Sequence, residues 1–148
     1  HSGQTQPEYH ISIVCPVPYP DETVSALRSA IEAAAEDSNG DGKIQVSIHT
    51  FRIALGEENQ DVNQIGALDA DLVGNVSGIF LLYDPQKFEE TTNGICIAQQ
   101  AFPLSACPPL SGLGMDDLSL SVRTGADERY TSLFRTLCGG YERAAKAV

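Results

Sequence analysis

A chain of 148 residues with 9 basic and 20 acidic side chains, net charge −11, and 42% apolar content has room for one domain with its own core. Nucleic acid and anionic lipid are excluded as main partners, because binding either one depends on neutralising phosphates with Lys and Arg. No apolar run approaches the roughly 18 residues a membrane helix needs, and the acidity favours divalent cations.

His1 to Glu8 is polar, contains Pro7 and shows no periodicity, so it reads as a tag remnant or linker. Residues 9–140 read as a single α/β domain and 141–148 as a C-terminal tail. Ile11 to Cys15 (ISIVC) is a short β-branched run stopped by Pro16-Val17-Pro18-Tyr19-Pro20, the signature of a buried strand with a hard end. Asp21 is positioned to cap the next element. Val24, Leu27, Ile31 and Ala34 then form one apolar stripe on a helix over Glu22 to Asp37, which Ser38-Asn39-Gly40 would end. Ile44, Val46 and Ile48 alternate with Gln45, Ser47 and His49, predicting a strand that reaches Ile53.

Val62, Ile65, Leu68 and Leu72 predict a second helix, with Gly74 as its stop. Ile79 to Tyr83 (IFLLY) is apolar throughout, as in a central strand covered on both faces, and Asp84-Pro85 ends it. Successive strand–helix–strand units predict a mostly parallel sheet with right-handed crossovers. Further on, Ile95 to Ala98 suggests a short strand, and Pro103 to Met115 a long loop serving function or stapled by a disulfide. Leu118, Leu120 and Val122 suggest another strand. Asp127 then caps a helix presenting Tyr130, Leu133, Phe134, Leu137 and Cys138, which Gly139-Gly140 closes.

Asp37, Asn39 and Asp41 occupy positions 1, 3 and 5 of a calcium loop, with Gly42 at the sharp turn and Ile44 at the apolar eighth position. Position 12, where a bidentate carboxylate belongs, is Ile48, so calcium would need another carboxylate from elsewhere in the fold. Glu36 and Asp37 also lie at the end of the predicted helix, where the macrodipole disfavours anions and a cation would relieve them. A plain Asn-Gly/Asp-Gly turn between helix and strand accounts for the same residues. Calcium is the one cofactor the sequence suggests.

Cys15, Cys96, Cys107 and Cys138 form no CxxC pair and the histidines are scattered, which argues against zinc. The short Cys96 to Cys107 separation makes that pair the first disulfide expectation; four buried free thiols is the alternative.

No nucleophile motif survives. Gly74-Asn75-Val76-Ser77-Gly78 is out of register with a GxSxG elbow and precedes its strand, and Ser111-Gly112-Leu113-Gly114 lacks the dinucleotide pattern. Asn75-Val76-Ser77 matches a glycosylation sequon. His49 reads as a solvated or hydrogen-bonded histidine on the polar face of a strand, and Asp116-Asp117 as a turn. The expectation is a protein that is not an enzyme.

In a parallel sheet, ligands bind beyond the carboxyl ends of the strands. That edge collects Tyr19 and Asp21 after the first strand, and Tyr83 and Asp84 after the third. Tyrosines beside carboxylates suit a sugar or an amine. The competing reading has both tyrosines packing over the sheet edge and Asp21 serving only as a cap.

The order ISIVC, helix Val24 to Ala35, IQVSIHTF, a helix ending at Gly74, and IFLLYDP resembles the first part of the N-terminal lobe of bacterial extracellular solute-binding proteins, the capture subunits of ABC importers. The Asp-x-Asn-Gly-Asp-Gly-Lys turn and the Phe-Leu-Leu-x-Asp-Pro run are also similar to uncharacterised membrane-anchored bacterial surface proteins. The resemblance covers Tyr9 to Glu90 and implies that Asp84 faces the ligand cleft. It further implies an extracytoplasmic, solute-binding-like domain, secreted or held as a lipoprotein or by a membrane anchor lying before His1. The other expectation is a structural or protein-interaction domain of a surface protein with no small ligand.

Overall fold

A computed structural model describes residues 8–35, 44–57 and 61–139. The β-branched run after Tyr9 becomes the second strand of a five-stranded sheet, paired along both edges. β1 (Tyr9–Cys15) runs parallel to β2 (Val46–Arg52), with Ile11 opposite Ile48, and parallel to β3 (Ile79–Leu82), with Ile11 opposite Ile79. Two further strands, β4 (Phe102–Pro103) and β5 (Ser119–Val122), complete the order β2-β1-β3-β5-β4.

β5 runs antiparallel to both β3 and β4, so the sheet is mixed where a mostly parallel one was expected. The cause lies in the connections. β3 and β4 both run antiparallel to β5 and so parallel to each other, with one strand's width between them that the returning chain fills. After β3 the chain forms only the eight-residue helix α3 (Pro85–Thr92, numbered after α1 and α2 below). It then overshoots to the far edge as β4 and returns as β5 between β4 and β3.

From β1 the first crossover steps to one neighbour, and the second returns past β1 to the other. Right-handed connections in opposite directions put their helices on opposite faces. α1 (Asp21–Ala34) and α4 (Glu128–Leu137) cover the face where Ile11, Ile13, Leu27, Ile31, Leu81, Leu133 and Leu137 are buried. α2 (Val62–Gly74) and α3 cover the other face, around Val14, Phe51, Phe80, Leu82, Leu68 and Phe88. All four residues of β3 are buried, as its unbroken apolar run predicts.

Several expectations shift. Asp21 does not cap α1: Pro20 is the N-cap, and its carbonyl accepts from Thr23 and Val24 N–H at 3.0 and 3.1 Å, leaving Asp21 as the first helical residue. α1 closes at Ala35, whose backbone is extended, and the expected stop Ser38-Asn39-Gly40 lies outside the described residues. Gly74 is the last residue of α2, and Asn75 takes the left-handed position at φ 54° that Asn tolerates. Val62, counted in the apolar stripe, is 77% exposed because it sits in the first turn.

Ile95 to Ala98 is not a strand; Cys96 turns inward and Ala98–Gln100 makes a short 3-10 turn. Pro103 cannot donate to a ladder, which fits its place on the edge strand. The Pro/Gly/Ser-rich segment after it is an apolar plug: Leu104, Cys107, Leu110 and Met115 are all buried beneath α1 and α4 in the same cluster. Glu8, assigned to the leading linker, is buried and its N–H donates to Gln45 O at 2.9 Å.

Candidate functional site at the carboxyl edge of the sheet

The strand order reverses direction at β1 and β3: one connection leaves β1 towards β2, the other arrives at β3 on the opposite side. In open α/β sheets the crevice beyond the carboxyl ends of such strands is the usual binding position. Here it is framed by Pro16 to Pro20 after β1 and by Tyr83-Asp84 after β3.

Tyr83 is held at the lip by its backbone, whose N–H donates to Val14 O at 3.0 Å, while its side chain is 51% exposed. Asp84 caps α3, accepting from Lys87 N–H at 3.0 Å, with Pro85 at the first helical position. On the β1 side, Ile53 N–H donates to Cys15 O at 2.8 Å and the Cys15 thiol donates to Val17 O at 2.9 Å, pinning the proline-rich turn. Tyr83 and Asp84 line a cavity of about 250 Å³ together with Val14, Pro16, Leu55 and Glu57. Tyr19 and Asp21 line a different depression of about 490 Å³ beside α1, with Ser25, Arg28, Thr50 and Arg52.

The four predicted residues therefore share one edge but not one cavity. Tyr19 and Tyr83 are near enough to interact electrostatically, while Asp21 and Asp84 line separate cavities. Tyr19 also packs against the buried cluster under α1, so its ring belongs in part to the core. Burial, reinforced by Cys15, Asp117, Tyr83 and Asp116, pushes its hydroxyl above the ordinary tyrosine range.

Asp116 and Asp117 form a turn, as read from the sequence, but their position was not legible there. Because β5 is antiparallel, its leading turn lies at the same edge as the trailing ends of β1 and β3, with Ser119 opposite Leu82. An all-parallel sheet would have sent these carboxylates to the far end. The edge thus combines two tyrosines with Asp84, Asp116, Asp117 and Glu57, an acidic and aromatic rim.

Next to it, α2 and α3 leave an apolar groove of about 330 Å³ whose walls include Ile65, Leu68, Leu72 and Ile95; Ile53 and Leu55 are common to this groove and the Tyr83 cavity. Val73 of α2 also lines this groove and is 88% exposed.

Among the described residues no group of three or more His, Cys, Asp and Glu could hold a metal ion. The calcium-loop candidates Asp37, Asn39 and Asp41 lie outside the described residues. Also among the described residues, no helix is long and apolar enough to cross a membrane. Cys15, Cys96, Cys107 and Cys138 are buried thiols that form no disulfide with one another. Cys96 lies in the cluster under α2 and α3, and Cys107 in the one under α1 and α4, so the sheet separates the pair expected to form a disulfide.

Comparison with family models, with curated proteins and with solved structures finds no match to this chain.

Proposed function

We propose that the chain is a non-enzymatic, extracytoplasmic, solute-binding-like domain that takes a small molecule at the β1/β3 switch point. One observation carries this reading: the half-exposed Tyr83 and the carboxylate of Asp84 both line a cavity where the strand order reverses. A volume of about 250 Å³ suits a ligand the size of an amino acid or a monosaccharide. The ring of Tyr83 offers a stacking face, and the rim carboxylates favour hydroxyl or ammonium donors. Resemblance to the first part of the N-terminal lobe of bacterial extracellular solute-binding proteins supports the extracytoplasmic setting.

Calorimetry against amino acids, monosaccharides and short peptides tests the reading. Saturable binding should weaken about tenfold or more, equivalent to about 1.4 kcal/mol, in Tyr83→Ala. Asp84→Asn should weaken it as well while keeping the helix cap, because Asn caps as effectively as Asp. A specific observation favours a second reading, a protein-interaction domain without small ligand: the apolar groove between α2 and α3 lies beside the exposed Val73. Silence across the ligand panel would sink the first reading and favour the second.

A further inference from the structure

At the opposite end of the sheet, on the α2 face, the apolar cluster gives way to a polar corner. His10 of β1 and His49 of β2 stand on neighbouring strands, where Ser12 is the register partner of His49. Their Nδ1 and Nε2 atoms are 3.1 Å apart. The ring planes are within 9° of parallel and the centroids are 5.3 Å apart. That separation is close to the 3.1 Å contact plus one ring radius at each end, so the two nitrogens lie near the line joining the centroids. The rings therefore sit edge to edge, nearly coplanar, instead of face to face. Ring lone pairs and N–H bonds lie in the ring plane, so the contact is an N–H···N hydrogen bond in which one imidazole donates and the other accepts.

Such a bond has room for one donor proton. With both rings neutral, one tautomer donates; with one ring protonated, the bond is charge-assisted. With both protonated, two N–H groups and two positive charges point at each other and the bond is lost.

The surroundings hold the pair in register. The His10 backbone N–H donates to the Tyr130 hydroxyl of α4 at 2.8 Å, and His10 O accepts from Gly78 N–H at 3.1 Å. The Ser47 hydroxyl lies 3.3 Å from the same His49 Nε2 and shares that nitrogen with His10. The charged groups facing His10 are Asp71 from α2 and Arg129 from α4, of opposite sign. Asp71 is already engaged by Ser12 and Ser77, whose hydroxyls donate to it at 3.2 and 2.7 Å. Arg129 lies over the Tyr130 ring, 4.9 Å from its centroid.

We propose that His10 and His49 form an acid-sensing pair that holds at most one proton while their bond is intact, so that a second proton breaks the bond and loosens the corner joining β1, β2 and α4. Burial, then His49, lowers the pKa of His10 below the ordinary histidine value; Asp71 opposes this and Arg129 adds to it. Folding therefore favours neutral His10. This part of the stability is fully present above about pH 6.5, the unfolded value, and is lost as pH falls through the lower folded value.

Imidazole NMR titration of the chain carrying His1→Gln tests the proposal beside the same chain with His49→Gln or His10→Gln. The pair should titrate in two steps at least about one pH unit apart, the tenfold coupling that marks interacting sites. Each single variant should show one step. Amide exchange at the β1–β2 corner should accelerate between pH 7 and 5 in the parent and much less in His49→Gln. Two histidines titrating in the parent at the values seen in the single variants would overturn the proposal. Equal acid-induced loosening in His49→Gln would overturn it too. Both readouts work on the folded chain, and a variant that fails to fold leaves the parent's two-step titration as the deciding measurement.

Discussion

Asp71, near the end of α2, accepts from both the backbone N–H and the hydroxyl of Ser77, at 3.1 and 2.7 Å, and so ties the helix to the segment that enters β3. Ser12, fully buried on the central strand, adds its hydroxyl to Asp71 at 3.2 Å and to Ser77 at 2.6 Å. Three polar side chains are thereby buried with mutual partners. Asp71→Ala strands the Ser77 N–H and one of the two hydroxyl protons, the Ser12 and Ser77 hydroxyls keeping only each other, and should cost about 3 kcal/mol. Urea unfolding should show a lower midpoint with an unchanged slope. In a double-mutant cycle, Asp71→Ala with Ser77→Ala should lose less than the sum of the single changes, because the groups share one network.

Gly78, next in the chain, has no room for a side chain: an added Cβ would overlap the Tyr130 ring. Its carbonyl accepts from Arg123 N–H at 2.8 Å, which leaves the backbone little freedom to retreat. Gly78→Ala should destabilise by roughly 3 kcal/mol, at the upper end of overpacking costs. Gly66→Ala is the control, because nothing lies within 4 Å of the position its Cβ would take and Ala is the better helix former. Melting temperatures of the two variants should move in opposite directions.

The thiols should be inert in the native state. Burial pushes Cys96 and Cys107 up to about 12, so the thiolate that reacts is scarce at neutral pH. Ellman's reagent should label none of Cys15, Cys96, Cys107 and Cys138 in buffer and all of them in guanidinium, with no effect of reductant on the melting temperature. Rapid loss of any one thiol in buffer would contradict the burial of that side chain.

Calcium can be tested separately from the ligand crevice. If Asp37, Asn39 and Asp41 bind the ion, calcium at ~100 times Kd should stabilise by about 2.7 kcal/mol relative to EDTA. Asp41→Asn should reduce the gain. An unchanged melting temperature at millimolar calcium leaves the plain Asn-Gly/Asp-Gly turn as the explanation of those residues.

What could be read from the residues was local and periodic. The β-branched ISIVC run, the Leu27–Ile31 stripe, the unbroken IFLL strand and the Asp127-capped final helix are each specified by neighbours within a few positions, and each forms in the structure. α3 was not legible, because only Phe88 of its eight residues is buried and no stripe marks it. The Pro/Gly/Ser-rich segment read as a loop because its four buried apolar residues, Leu104, Cys107, Leu110 and Met115, follow neither helical nor strand spacing.

The candidate site divides the same way. Tyr19, Asp21, Tyr83 and Asp84 could be assigned to the carboxyl edge because chain order within strand–helix–strand units dictates which ends face together. Their partition into two cavities depended on how the turn after β1 packs against α1 and the end of β2, and the arrival of Asp116-Asp117 beside Tyr19 on β5 inserting antiparallel between β3 and β4. The His10–His49 bond is likewise a matter of register between strands some forty residues apart in sequence. Local sequence determined which elements form, because propensity, capping and periodicity act over a few residues. Tertiary structure alone decided which polar side chains meet, because strand direction and register are set by burying both faces of the whole sheet at once.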